Sequence, residues 1–474
     1  MSPPSSDVHH QLSHVQRFSY GVGHVLNDLC ASVWFSYLLI YFHDVIQFDN
    51  VLAGYTMLAG QIADAIATPF IGYEVDRTNG CCKYGKRKSW HIVGTVCVIA
   101  SFPFILSRCI NCHHSACWAQ FIYYLPFVVI FQFGWAATQI SHLSLIPQLS
   151  PYQNERVGLN ALRYTFTVLS NILVYGVTWL LLGIDSRGTQ RELTSADAPR
   201  FQILVLVLLV VGAVFSVIFH IGTKEDISYD RSSLTVAVND VKPDADNAPK
   251  SDSLQWSCWL KEFQFYQVAL LYMCSRLVVN LSQVYLPMYL TSSLKLDKSY
   301  IAIIPLVVYV SGFLSSLVMK SLNICAGRKV TYVLGAMTVI GYSVWTWFLS
   351  AASLWQVFAM AVLLGIGTST VLVTALSMTA DLIGDNVSSG AFVYGALSFT
   401  DKLSNGIAVL VIQHLHPCRG VVCCSDCIWF YRNVMTFVPA GFAILAILTL
   451  LTLAPQRIGR LGKHKGAYVD NCQP

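Results

Sequence analysis

The sequence predicts an all-α integral membrane protein, with twelve transmembrane helices arranged as two pseudo-symmetric six-helix bundles. Three observations carry that expectation. Apolar residues make up 55% of the 474-residue chain and charged residues only 12%, against roughly 25% charged in a soluble domain; mean hydropathy is +0.55. Apolar stretches of 18 or more residues, long enough for a spanning helix, recur along the whole length. A short polar motif also recurs. Gly72-Tyr73-Glu74-Val75-Asp76-Arg77 with Gly85-Lys86-Arg87-Lys88 has a weaker copy half a chain later, Lys320 with Gly327-Arg328-Lys329. Each copy sits between the second and third apolar stretch of its own half, so one six-helix unit is used twice.

In chain order the windows are 18–43, 51–73, 89–107, 119–147, 157–183 and 201–222, then 263–290, 299–320, 330–350, 353–379, 389–413 and 430–453. Helices are required because hydrocarbon offers no partner to an open backbone, and the alternation of a barrel strand is absent. Residues 1–17 form a polar, His-rich tail without a signal-peptide core, so the first window is the expected insertion signal. Basic residues fall in three clusters: Arg77, Lys83, Lys86, Arg87 and Lys88; Arg328 and Lys329; and Arg457, Arg460, Lys463 and Lys465. With twelve spans all three lie on one side, which the positive-inside rule makes cytosolic together with both termini.

The expected layout is therefore a tail 1–17, a bundle 18–222, a cytosolic linker 223–262, a bundle 263–453 and a tail 454–474. The linker carries Asp226, Asp230, Asp240, Asp244, Asp246 and Asp252 with Pro243 and Pro249, too little apolar surface to offset its ordering entropy. Its last part, Trp256 to Phe265, reads as an interfacial lead-in to the next span. The net charge of +5 concentrates in short loops and does not point to nucleic acid. Of fifteen cysteines, Cys109, Cys112 and Cys117 share one non-cytosolic loop and Cys418, Cys423, Cys424 and Cys427 another. Disulfides in an oxidising compartment are the expected use. The alternative is zinc, since Cys109 and Cys112 with His113 and His114 have ligand spacing, but no second ligand pair is patterned like a knuckle.

Polar groups inside spans are costly and mark candidate sites. His24 and Asp28 are four apart on one face of the first span, beside Asn27. Asp28 is about 16 Å along that span at 1.5 Å per residue, near mid-membrane. Gln61, Asp64 and Thr68 share a face of the second span, and Arg276, Asn280 and Gln283 share a face of the seventh. Gln139 and His142 lie together in the fourth, Arg163 in the fifth and Lys402 in the eleventh. Structural ion pairs and satisfied core polars are the competing explanation for each.

At these residues the chain resembles the major facilitator superfamily over its whole length. Within it, the pattern resembles the glycoside–pentoside–hexuronide:cation symporters of the melibiose-permease type. The matching features are Gly21-x-Gly23 with Asp28; Asp64; Gly72…Asp76…Gly85-Lys86; Glu155-Arg156 followed by Arg163; and Gly390-Ala391-Phe392 followed by Lys402. The strings His24-Val-Leu-Asn-Asp-Leu-Cys30, Phe131-Gln-Phe-Gly-Trp135, Gln139-Ile-Ser-His-Leu-Ser-Leu-Ile-Pro147 and Met378-Thr-Ala-Asp-Leu-Ile-Gly384 resemble an animal branch associated with cysteine import into lysosomes and melanosomes, and with pigmentation.

The resemblance implies a secondary transporter of the lysosome or melanosome membrane that carries cysteine into the lumen by alternating access. Asp64 matches a cation-binding carboxylate of the sugar symporters, but Thr68 and Gln139 stand where those proteins have two more. Sodium coupling is weakened by that loss, and proton coupling or simple exchange stays open. The predicted substrate site is Asp28, Arg163, Arg276, Asn280, Lys402, Gln139 and His142, with cations for the carboxylate and carboxylates for the ammonium. Asp64 and Asp28 are the expected coupling-ion residues, and Asp76, Arg77, Lys86, Arg87 and Arg328 the expected cytosolic gate. The partners are then a small-molecule substrate, the lipid bilayer and a possible proton, with no cofactor, resident metal, nucleic acid or obligatory protein. Alternatives are a sugar or lysolipid as substrate, or a non-transporting sensor. No nucleophile–base pair, P-loop or HExxH motif suggests an enzyme.

Overall fold

A computed structural model describes residues 12–77, 84–111, 115–150, 153–183, 192–225, 259–349, 353–384, 387–417 and 427–459. Among these every regular element is helical. The linker from 226 to 258, the outer parts of both tails, and Cys112, Cys418, Cys423 and Cys424 lie outside the described residues.

The first half contains α1 (His14–Val22), α2 (Val25–Ile40), α3 (Asn50–Arg77), α4 (Lys86–Ile105), α5 (Cys117–Ser144), the single turn α6 (Ile146–Leu149), α7 (Gln153–Gly183) and α8 (Ala198–Gly222). The second contains α9 (Phe263–Met288), α10 (Tyr300–Cys325), α11 (Arg328–Phe348), α12 (Leu354–Ile383), α13 (Val387–His414) and α14 (Cys427–Leu453). Among the described residues, nine helical segments are long and apolar enough to cross a membrane. The windows 51–73, 330–350 and 389–413 also lie in long helices, α3, α11 and α13, but outside that nine. Polar residues explain two of the three: Gln61, Asp64 and Glu74 in α3, and Asp401, Lys402 and Asn405 in α13.

Internal symmetry is visible in the backbone. α2 and α9 each run into a five-residue π turn, Tyr41–Val45 and Tyr289–Ser293. Each turn is followed by a non-glycine residue at positive φ, Gln47 at 56° and Lys295 at 49°. The repeated basic motif is repeated in three dimensions as well. Gly85 and Gly327 cap α4 and α11 with φ of 100° and 81°, a region that glycine enters without a Cβ clash. Lys88 Nζ then donates to the carbonyls of His220 and Thr223 at the end of α8 (2.9 and 2.8 Å). Lys329 Nζ donates to those of Leu453, Ala454 and Gln456 at the end of α14 (2.8, 3.0 and 2.5 Å). A lysine on the carbonyl end of a helix satisfies orphan acceptors and opposes the helix dipole.

The halves meet along α2–α9, α3–α13 and α7–α10. Exchanging the halves maps α3–α13 onto α10–α7, so these two seams are images of one another. Within the first half, α4 and α5 approach closely. A Cβ on Gly94 would stand 2.6 Å from the Gly134 carbonyl, and one on Gly134 would stand 2.8 Å from the Gly94 carbonyl. Such small-residue contact substitutes for hydrophobic drive between helices in lipid.

Candidate functional site

Three polar clusters occupy the middle of the bundle. The first lies within the first half. The break between α1 and α2 at Gly23 and His24 turns the His24 ring toward Asp28 one turn later, with Nδ1 2.9 Å from Oδ1. Arg163 Nη2 approaches the other ring nitrogen, Nε2, at 3.3 Å. A guanidinium can only donate, so Nε2 is the acceptor and Nδ1 carries the proton given to Asp28. Thr167 Oγ1 donates to the second Asp28 oxygen (2.8 Å).

The second cluster crosses the halves. Lys402 Nζ on α13 reaches Asp64 Oδ1 at 2.7 Å and Thr68 Oγ1 at 2.8 Å on α3. The third lies within the second half: Arg276 Nε donates to Asp401 Oδ2 (2.8 Å), and Asn405 Nδ2 to Asp401 Oδ1 (2.6 Å). Asp401 was missed by the sequence reading, although it is an intramembrane carboxylate next to Lys402 and that signal was present. Asp64 pairs with Lys402 and Asp401 with Arg276, while His24 stands between Asp28 and Arg163, so the band brings three carboxylates together with three basic side chains.

A cleft of about 160 Å³ adjoins this band, between α7, α9, α10 and α12. Its walls include Tyr164, Val168, Val279, Leu286, Val308 and Phe313, with Thr167, Asn171, Gln283 and Thr368 as polar points. Thr167 links it directly to Asp28. Asn280 lines a much smaller space, of about 10 Å³, with Gln61 and Asn405. Gln139 accepts from Trp135 Nε1 (3.1 Å), and His142 is fully buried with Nε2 on the Tyr20 carbonyl (2.8 Å). Ser36 Oγ joins Tyr175 Oη (2.7 Å) and Gln283 Nε2 (3.1 Å), and the Tyr175 and Tyr309 rings meet at 5.4 Å, tying α2, α7, α9 and α10 together.

The two ends of the bundle are held differently. Asp197 and Thr223 flank α8 and so mark opposite ends. At the Asp197 end the bonds cross the halves: Lys298 Nζ lies 2.9 Å from Asp197 Oδ1, both side chains almost wholly buried, and Asn50 Nδ2 lies 3.1 Å from His416 Nδ1. Arg200 also pairs with Asp197. At the basic-motif end the described ion pairs stay within a half: Arg17 with Glu155 (2.8 Å), Arg87 with Glu225 (3.6 Å) and Arg328 with Asp381. Of the expected gate residues, Arg77 donates to Tyr73 Oη (3.1 Å), Lys86 opens α4, and the Asp76 side chain lies outside the described residues. Cys109 and Cys427 are disulfide-bonded, while Cys117 is an exposed free thiol.

Comparison with known proteins places this architecture. The family model for MFS/sugar transport proteins matches residues 19–457. Major facilitator superfamily domain-containing protein 12 of Homo sapiens is 50% identical over 95% of this chain and 95% of its own length. The protein of that name from Equus caballus is 51% identical over 93% of each. The fold is that of the crystal structure of a D-xylose-proton symporter, with a TM-score of 0.67 at 13% identity, covering 92% of this chain and 96% of that one. The chain belongs to the MFS/sugar transport protein family and is a multi-pass membrane transporter of the major facilitator fold.

Proposed function

We propose that this transporter moves cysteine from the cytosol into the lumen of the lysosome or melanosome, by rocking two six-helix halves, 18–222 and 263–453, about a midplane site. The observation that carries the reading is the band of three carboxylates and three basic side chains, one pair of which, Asp64 with Lys402, joins the halves. A zwitterion brings one carboxylate and one ammonium, and can exchange with such pairs without leaving a net buried charge. Arg163 is suited to the carboxylate and Asp28 to the ammonium, with Arg276 and Lys402 as further cations. The resemblance to the cysteine-importing branch supplies the choice of amino acid, and the apolar cleft wall suits a thiol, which packs as a small hydrophobe. With the basic motifs cytosolic, the crossing bonds at the Asp197 end lie on the luminal side.

Uptake of labelled cysteine by proteoliposomes, competed with cystine, other amino acids, a sugar and a lysolipid, tests the substrate. Cysteine should enter and be displaced only by close analogues. Impermeant tags at both termini and in 226–250 should react from the cytosolic face of sealed organelles; reaction of the Cys109–Cys117 loop from that face would reverse the orientation.

The cleft favours one second reading. Its Val, Leu, Phe and Tyr wall also suits the apolar part of an amphiphile such as a lysolipid. Displacement of cysteine by lysolipid at low concentration, or lysolipid uptake without cysteine uptake, would favour that substrate.

A further inference from the structure

Four histidines and a tyrosine run from the basic-motif end toward Asp28. Tyr84 Oη lies 2.7 Å from His220 Nδ1, and His220 Nε2 lies 3.1 Å from His91 Nδ1. His91 Nε2 lies 3.0 Å from the Gly23 carbonyl. A carbonyl only accepts, so His91 carries its proton on Nε2 and accepts at Nδ1. His220 then donates from Nε2 and accepts from the Tyr84 hydroxyl at Nδ1, and the row has one polarity. Next come His142, 6.1 Å from His91 between ring centroids, and His24, 5.8 Å from His142. His142 Nε2 donates to the Tyr20 carbonyl, while its Nδ1 is fully buried with no partner among the described residues. Arg163 Nε is likewise buried and unpartnered. Gly23 makes the crowding possible: a Cβ there would stand 2.4 Å from Phe219 and 2.8 Å from His142.

We propose that Tyr84, His220, His91, His142 and His24 form a proton path between the basic-motif end and Asp28; the proposal rests on the transport reading above. A proton taken at His220 Nδ1 releases the Nε2 proton to His91 Nδ1. His91 passes its Nε2 proton to the free His142 Nδ1, across a gap that one water or a ring turn closes. His142 passes its own to His24 Nε2, and His24 gives its Nδ1 proton to Asp28. Each ring then resets by turning, and no other atoms move; the reverse order empties Asp28. The last step has a consequence for the substrate. When His24 Nε2 takes a proton it stops accepting from Arg163, and the guanidinium is released for a carboxylate.

The charged and titratable groups around the row are Lys88 and Tyr84 beside His220, Glu225 beside Lys88 and Arg87, Tyr20 stacked on His142, and Arg163 and Asp28 on His24. Lys88 is committed to the α8 carbonyls and leaves the row itself to the imidazoles.

The test is cysteine exchange and pH-gradient-driven cysteine accumulation in proteoliposomes, for wild type, His91→Gln, His220→Gln and Tyr84→Phe. The glutamines keep hydrogen bonding and cannot relay a proton. Accumulation should fall about tenfold or more in both, corresponding to about 1.4 kcal/mol, with exchange within about twofold of wild type. Accumulation equal to wild type in both variants overturns the path. Wild-type exchange without any pH-gradient-driven accumulation overturns the path and leaves the cysteine reading standing; no cysteine exchange in wild type overturns both. If the glutamine variants lose exchange as well, Tyr84→Phe decides, since it keeps the ring against His220 and removes only the hydroxyl. Slower accumulation with normal exchange supports the path, and unchanged accumulation refutes it.

Discussion

The Asp28 and Asp64 clusters use the same chemistry in opposite mechanical settings. Asp28 is held by His24 and Thr167, with Arg163 behind, all within the first half. Asp64 is held by Lys402, which comes from the second half. A bond inside one half can persist while the halves rock. A bond across α3 and α13 must break or lengthen if those helices part. The first cluster is therefore suited to following a ligand through the cycle, and the second to counting the state of the seam.

The largest expected effect comes from breaking the crossing pair. Lys402→Ala leaves Asp64 buried without its cation, and removing one partner of a buried pair costs about 3–5 kcal/mol. The thermal midpoint of the purified protein should drop more than for any other single change here, with uptake lost as well. Lys402→Met together with Asp64→Asn removes both charges and should recover most of the midpoint without recovering uptake. A Lys402→Ala protein as stable as wild type would mean that Asp64 already finds another cation or water, and the contrast between the clusters would fail.

Arg163→Ala should act the other way round. Asp28 keeps His24 and Thr167, so stability should stay near wild type. A charge-assisted hydrogen bond to the substrate is worth about 1.5–3 kcal/mol, so uptake at low substrate should fall about ten- to a hundredfold. Uptake unchanged in Arg163→Ala would move the carboxylate site to Arg276, the cation of the third cluster.

What the sequence could and could not disclose follows from the same contrast. Helices were legible because apolar runs leave the backbone one solution in lipid, and the twofold repeat was legible because Gly85 and Gly327 each precede a basic pair. The His24–Asp28 pair was legible because four residues on one helix fix a face. Pairings between helices were not. Nothing in the spacing of Arg276 says that it faces Asp401, nor that Lys298 enters the first half to meet Asp197. His91 and His220 are far apart in the chain, and only the closeness of α4 and α8 brings them within 3.1 Å.

The smallest effect concerns a tie that is neither central nor crossing. At the start of α7, Glu155 accepts from the Ser150 hydroxyl (2.5 Å), Arg17 (2.8 Å) and the Leu12 amide (3.3 Å). The Ser150 hydrogen bond first, then Arg17 and Leu12, holds its carboxyl below the ordinary glutamate range. A group whose folded pKa is depressed stabilises the fold above its unfolded pKa, about 4.3 for glutamate, and loses that contribution as pH falls through the folded value. Wild type should therefore melt slightly above Glu155→Gln near neutral pH, and the gap should close as the pH is taken below the glutamate range. The gap should be small, since an ion pair with an exposed arginine is screened by water and salt. Uptake should be unaffected, because the tie stays within one half and lies a full span from Asp197. A gap that persists unchanged into acid would mean that Glu155 acts through packing, and a loss of uptake would make this end of α7 part of the moving seam.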